Sequence, residues 1–170
     1  MTLILRSAET SDREALNSLN ETAAPHVDRL NEDHFSYLVE QGLCIVAENP
    51  LGKMEGYIIL VRHDENFEAE DFRWFQESTN EPFVYIDQVV VDPEYRGRGI
   101  ASELYRCAEK YAAQLGAAAL TCEIRMDPLN EDSHHFHREH DFEEIGRRRS
   151  QDHDVLLMKK AVCEEPFVPA

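Results

Sequence analysis

At 170 residues, 42% of them hydrophobic, the chain is long enough for one domain with a core that needs neither disulfides nor a structural metal. Its 34 acidic and 17 basic residues leave a formal charge of −17, which argues against nucleic acid or an anionic membrane as a partner, because both are bound through basic patches. A cationic ligand such as an amine would be steered favourably, although the same charge also serves solubility alone.

Arg6, Glu9, Asp12, Arg13 and Glu14 interrupt any signal-peptide-like start, and no run approaches the ~20 apolar residues of a membrane span. Four dispersed cysteines, with no Cys-x-x-Cys pair, read as reduced thiols in a cytoplasmic protein. Leu3, Ile4 and Leu5 begin a first strand. Ser11, with Glu14 three residues on, has capping-box spacing for a helix that continues through Ala15, Leu16 and Leu19 and stops at Pro25. A second helix is expected over 28–40, ending at Gly42. Strands at 44–47 and 57–61 flank a turn containing Asn49, Pro50 and Gly52.

Residues 63–82 read as an irregular connection carrying Phe67, Phe72, Trp74 and Phe75 beside Glu65, Glu68, Glu70 and Asp71. A loop of that length is either a lid or binding element, with Phe72 and Trp74 as candidate substrate contacts, or a segment held down by its aromatics. Its acids, with the net charge, favour a positively charged acceptor. Residues 83–91 form the strongest strand, which Pro93 ends. From Arg98 a helix places Ile100, Leu104, Cys107, Ala108, Tyr111 and Leu115 on one stripe and stops at Gly116. A strand at 120–126 follows, then a short helix capped by Asn130 and reaching about His140. Segments 142–145 and 155–158 close as an antiparallel pair. A single domain over 1–162 is expected, with 163–170 a frayed tail. The order of elements is mixed α/β and not a regular βαβ repeat.

Residues 89–101, Val-Val-Val-Asp-Pro-Glu-Tyr-Arg-Gly-Arg-Gly-Ile-Ala, carry the most information. A buried strand passes through a turn with two glycines and two arginines into a helix N-terminus, where unpaired N–H groups and about half a positive charge suit a pyrophosphate. A Rossmann fingerprint would need glycine where Ser102 stands, and a Walker A loop would need Gly-Lys-Ser/Thr.

Arg96-Gly97-Arg98-Gly99-Ile100-Ala101 resembles the Arg/Gln-x-x-Gly-x-Gly/Ala signature of GNAT (GCN5-related) acetyltransferases, and the order of elements over about residues 3–160 is similar to that fold. The resemblance implies a mostly antiparallel sheet of six to seven strands, helices on both faces, and a V-shaped splay between strands 4 and 5. It implies that acetyl-CoA places its pyrophosphate on the amides of Gly97 to Ala101 and its pantetheine arm along Val89, Val90 and Val91. Asn130 and Ser133 are further cofactor contacts on this basis. Asp71-Phe72-Arg73-Trp74-Phe75 resembles a poorly characterised branch of the family.

Acetylating an amine needs a deprotonated amine, a polarised thioester carbonyl and a proton for the departing thiolate. A main-chain N–H at Val89 or Val90 would hold the carbonyl. Glu123, in an otherwise apolar strand, resembles the strand glutamate that serves as base in the protein N-terminal-acetylating branch. Asp87 is the rival, and a base acting through water the third choice. The family commonly uses a tyrosine seven residues after an asparagine as acid. Here Asn130 leads to His137, which at helical spacing shares a face with Ser133, Phe136 and His140. Asp141 also stands where the family motif usually has glycine.

The series His134, His137 and His140 raises a metal, but no cysteine or carboxylate completes a tetrahedral set, and none is expected. Two functions follow: an N-acetyltransferase acting on a primary amine of a small molecule or peptide, or a non-catalytic acyl-CoA-binding module that lost its chemistry at positions 137 and 141. Self-association as a homodimer stays open, as does the acceptor.

Overall fold

The computed structural model describes residues 2–127 and 129–162. Seven strands form one sheet in the order β1-β2-β3-β4-β5-β7-β6. By internal packing the chain divides into two units, Met1–Val61 with Ile86–Cys107, and Arg62–Tyr85 with Ala108–Ala170.

In the first unit, β1 (Ile4–Ser7) and β2 (Cys44–Glu48) pair antiparallel, as do β2 and β3 (Met54–Arg62). A short 3-10 turn, Thr10–Asp12, precedes α1 (Arg13–Thr22). The entry to this helix is built two residues earlier than the Ser11–Glu14 spacing suggests. Asp12 accepts the Glu9 N–H at 2.7 Å and is gripped by both Arg6 nitrogens at 2.8 and 2.9 Å. Arg6 also meets Glu48 at 3.0 Å, so this nearly buried carboxylate is fully partnered. The Arg6 guanidinium holds Asp12 below the usual carboxylate range.

The second helix, α2 (Glu32–Glu40), starts four residues later than expected, because Asn31 caps it by accepting from the His34 N–H at 2.8 Å. The residues before it are held by side chains instead. Buried Asn20 donates to the Asp28 carbonyl at 2.9 Å and accepts from the Leu30 N–H at 3.2 Å. Tyr57 donates to Gln88 Oε1 at 2.8 Å, and the Gln88 amide returns to the Asp28 carbonyl at 2.9 Å. This network satisfies polar groups that burial would otherwise leave costly.

The second unit holds α3 (Glu70–Ser78), the first residues of β4 (Phe83–Val91), the end of α4 (Ile100–Gln114), β5 (Ala119–Arg125), α5 (Glu131–Glu139), β6 (Glu143–Ser150) and β7 (His153–Ala161). The helix α3 replaces much of the expected loop. It has no side-chain N-cap, and burial of Phe72 and Phe75, one turn apart, carries it. Arg148 anchors its start, at 2.6 Å from Asp71 and 2.9 Å from Glu70, with Ser150 Oγ donating to Asp71 at 3.2 Å.

α4 ends as Gly116 predicts: φ is +68°, and the amides of 117 and 116 bond the carbonyls of 112 and 113 at 2.9 and 3.1 Å. β7 runs nine residues where four were expected, because β5 and β6 pair with its two edges. Lys160, inside that ladder, donates to Glu109 of α4. Among the described residues, Cys44, Cys107 and Cys122 form no disulfide. The tail expected to fray at 163–170 lies outside the described residues.

Candidate active site

The strand β4 alternates half-buried Asp87, Val89 and Val91 with buried Gln88 and Val90. Its last turn is pinned to β3, where the Asp92 N–H bonds the Glu55 carbonyl at 2.8 Å. Gly56 makes that approach feasible, since a Cβ on it would lie 2.8 Å from the Val90 carbonyl oxygen. The Asp92 side chain then accepts from the Glu94 N–H at 3.0 Å and shapes the 3-10 turn Pro93–Tyr95. Gly97 and Gly99 follow with φ of +75° and +81°, a left-handed conformation that side chains rarely adopt. A Cβ on either would meet nothing within 4 Å, so open space lies beside this backbone. Ile100, 4% exposed, anchors the start of α4, whose first-turn amides have no intrahelical acceptor.

Charge and exposure complete this site. Arg96 and Arg98 are exposed. The Arg98 guanidinium sits 4.9 Å from the centre of the Tyr95 ring and the Lys53 ammonium 4.7 Å from it. Lys53 and Tyr95 were not singled out by the sequence; only the turn before β3 brings Lys53 here. Open glycine backbone, a helix N-terminus and three cations in one unit can hold a diphosphate. Asp87 belongs to the same unit, and its charge adds to the burial that raises the Tyr57 phenol.

The remaining sequence candidates fall in the second unit. Glu123 is half-buried on β5, and the Tyr85 hydroxyl donates a short hydrogen bond to it. Tyr85 is 1% exposed, with Phe72 and Phe75 packed on its ring at centroid distances of 5.4 and 5.9 Å. Sequence reasoning missed Tyr85, since only the fold brings positions 85 and 123 together. Phe72 itself is fully buried in this aromatic cluster, while half-buried Trp74 lines a separate pocket.

On α5, Asn130 caps the helix by accepting from the Ser133 N–H at 3.3 Å. His137 is 3% exposed, and its Nδ1 donates to the Ser133 carbonyl at 2.6 Å, with Ser133 Oγ at 3.3 Å. Burial pushes its pKa down to about 4. At neutral pH this is a neutral imidazole with its proton on Nδ1. It packs edge-on against Phe142 at 4.9 Å, while His140 stacks on Phe136 at 4.0 Å. Asp141 takes φ of +66° where the family motif usually has glycine, so the helix still ends by a left-handed residue. Among the described residues, no group of three or more His, Cys, Asp or Glu side chains is placed to hold a metal ion.

The sequence profile described as "Acetyltransferase (GNAT) family" matches residues 8–142, most of the chain and all of the glycine turn. The chain belongs to the GNAT acetyltransferase family. Solved structures agree at the level of fold. yncA from Salmonella typhimurium, determined with its cofactor acetyl-CoA, superposes with a TM-score of 0.70 at 19% identity over 100% of this chain and 99% of that one. The ribosomal-protein-S18-alanine N-acetyltransferase of Escherichia coli gives 0.69 at 20% identity over 99% and 100%. Arabidopsis thaliana Naa50, in complex with the bisubstrate analogue CoA-Ac-MVNAL, gives 0.70 at 19% over 94% and 99%.

No curated protein matches the sequence. The mixed α/β architecture, with a seven-stranded, mostly antiparallel sheet and β4 and β5 as a parallel pair, is that of the GNAT fold. Among the described residues, no helix is long and apolar enough to cross a membrane.

Proposed function

We propose that the protein is an acetyl-CoA-dependent N-acetyltransferase that moves an acetyl group directly to a primary amine of a small molecule or peptide, in a reducing, cytoplasmic compartment. The observation that carries this reading is the turn at Gly97 and Gly99, its backbone open at the start of α4, in a chain of the GNAT family. Acetyl-CoA is also the ligand of the yncA structure, and Naa50 holds a CoA–peptide conjugate.

In this reading the amides from Gly97 to Ala101 take the pyrophosphate, assisted by Arg96, Arg98 and Lys53. Val89 to Val91 pair with the pantetheine arm through main-chain hydrogen bonds. An N–H of Val89 or Val90 polarises the thioester carbonyl, where stabilising developing negative charge is worth most. Glu123 removes the ammonium proton, directly or through water, and the Tyr85 hydroxyl fixes its orientation.

The acid role is assigned away from His137. A neutral imidazole whose proton is committed to the Ser133 carbonyl keeps α5 in place with Asn130 and Ser133. Water then protonates the thiolate. Asp87 stays the alternative base, being half-buried on the strand that carries Val89.

Free-thiol release from acetyl-CoA, followed across a panel of polyamines, amino acids and peptides with free N-termini, tests the whole reading. Turnover with at least one amine is expected, and Glu123→Gln should lower kcat by ~10²–10⁴ with acetyl-CoA affinity kept. Tyr85→Phe should displace the acidic limb of the pH–rate profile. Saturable acetyl-CoA binding with no thiol release from any amine would instead establish the non-catalytic binding module.

A further inference from the structure

A pocket of about 90 Å³ opens between α3 and the sheet, wholly within the second unit. Its walls are apolar, formed chiefly by Trp74, Phe75, Phe83 and Ile145. Thr121 also lines it and is 2% exposed, yet its hydroxyl oxygen has no hydrogen-bond partner. A buried hydroxyl left unsatisfied is costly, so this is a place where a ligand would supply what the protein does not.

Lys159 stands directly opposite Thr121 in the β5–β7 ladder and lines the same pocket. Direct cross-strand partners carry their Cβ atoms about 4.5–5.5 Å apart on one face of the sheet. Lys159 is half-buried, and among the described residues its ammonium pairs with no carboxylate. Thr121 and Lys159, the one with a hydroxyl that lacks a partner and the other in no ion pair, therefore line the same apolar hollow.

We propose that this pocket binds a short branched-chain monocarboxylate, its carboxylate on Lys159 and Thr121 and its hydrocarbon against Trp74, Phe75 and Ile145. Volume limits the hydrocarbon. A cavity of about 150 Å³ admits benzene, so 90 Å³ suits a smaller body such as an isobutyl group. Charge limits the headgroup. Glu81 also lines the pocket and Lys159 is the one cation among its described lining residues, so a second negative charge on the ligand would go unpaired. Ile145, 44% exposed on the edge strand β6, would lose its water contact on binding. This site does not rest on the acetyl-transfer reading and is assayed without acetyl-CoA.

The probe is sodium 3-methylbutanoate, with the neutral 3-methylbutanamide as its uncharged twin and sodium chloride matching ionic strength. Thermal unfolding and calorimetric titration of the full chain should show saturable stabilisation by the acid alone. Lys159→Met should weaken binding by at least about tenfold, since hydrogen bonds to charged groups are worth that much or more. Thr121→Val, of nearly the same shape, removes the unsatisfied hydroxyl and should raise the unliganded unfolding temperature while losing affinity about fivefold. Equal binding of acid and amide would overturn the carboxylate assignment, and no saturable effect of the acid on the folded wild type would overturn the site. Wild-type affinity in folded Thr121→Val would remove the hydroxyl from it.

Discussion

The turn at residues 92–101 and the face beneath α3 are organised in opposite ways. At the turn the backbone itself is presented: Gly97 and Gly99 carry no side chain, and nothing stands within 4 Å of where one would begin. Around Phe72 of α3 side chains fill the space: Phe72 is fully buried, and Phe67, Phe83 and Tyr85 surround it at ring separations of 5.4–6.0 Å. A site made of main chain constrains residue type locally, through φ. A site made of packed side chains constrains it through partners distant in sequence.

The comparison is broken most forcefully at its buried side. Phe72→Ala should cost about 3–5 kcal/mol of stability in urea unfolding, the usual penalty for emptying an aromatic site. Acetyl-CoA affinity of the folded variant should be unchanged, and a parallel loss of affinity would show that the two regions are not separable.

Gly99→Glu probes the exposed side. It should abolish the stabilisation of about 2.7 kcal/mol that acetyl-CoA gives at 100 times its dissociation constant. Retained stabilisation would remove the turn from the cofactor site.

A third experiment uses pH. His137 titrates near 6.5 in the unfolded chain and near 4 when folded. The depressed folded value means that between those limits the unfolded state binds the extra proton. The His137 contribution is therefore fully present above about pH 6.5 and is lost as pH falls towards 4, by at most about 1.4 kcal/mol per unit. His137→Leu should flatten that slope in denaturant titrations, whereas an unchanged slope would place the titration elsewhere.

The smallest effect is expected from Asn130→Ala, about 1 kcal/mol for a lost helix cap. Circular dichroism and unfolding at neutral pH would measure it.

The same contrast decides what could be read from the chain. Val-Val-Val-Asp-Pro followed by Arg-Gly-Arg-Gly specifies strand, turn and helix by local chemistry, and the elements fall where that chemistry puts them. Asn130 and Gly116 are legible for the same reason, one as a cap and one as a left-handed stop.

α3 was not legible. Its nine residues are short for periodicity, Ala69 offers no capping oxygen, and its stability comes from aromatics on β4 and an arginine on β6. The acids assigned to a lid, Glu70 and Asp71, are committed to that arginine, Arg148. Glu123 could be singled out as a carboxylate in an apolar strand, but Tyr85 as its partner depends on which residues of β4 and β5 meet. The entry to α1 misled for a related reason. Glu9 and Asp12 hold the spacing that Ser11 and Glu14 also offer, and Arg6, reaching Asp12, selects the former.

The Asn20–Tyr57–Gln88 network has a consequence for how this sequence can drift. Each group satisfies the others at the centre of the first unit, and each comes from a different element: α1, β3 and β4. Replacing any one with leucine takes a hydrogen bond from each of the other two, whereas a replacement set that keeps a donor for the Asp28 carbonyl and an acceptor for the Leu30 N–H keeps the interior satisfied. Intermediate genotypes are therefore the unfit ones. Positions 20, 57 and 88 should behave as a single heritable character, inherited or exchanged as a set, with the Asp28 carbonyl, which no substitution can remove, as the group each new set must still satisfy.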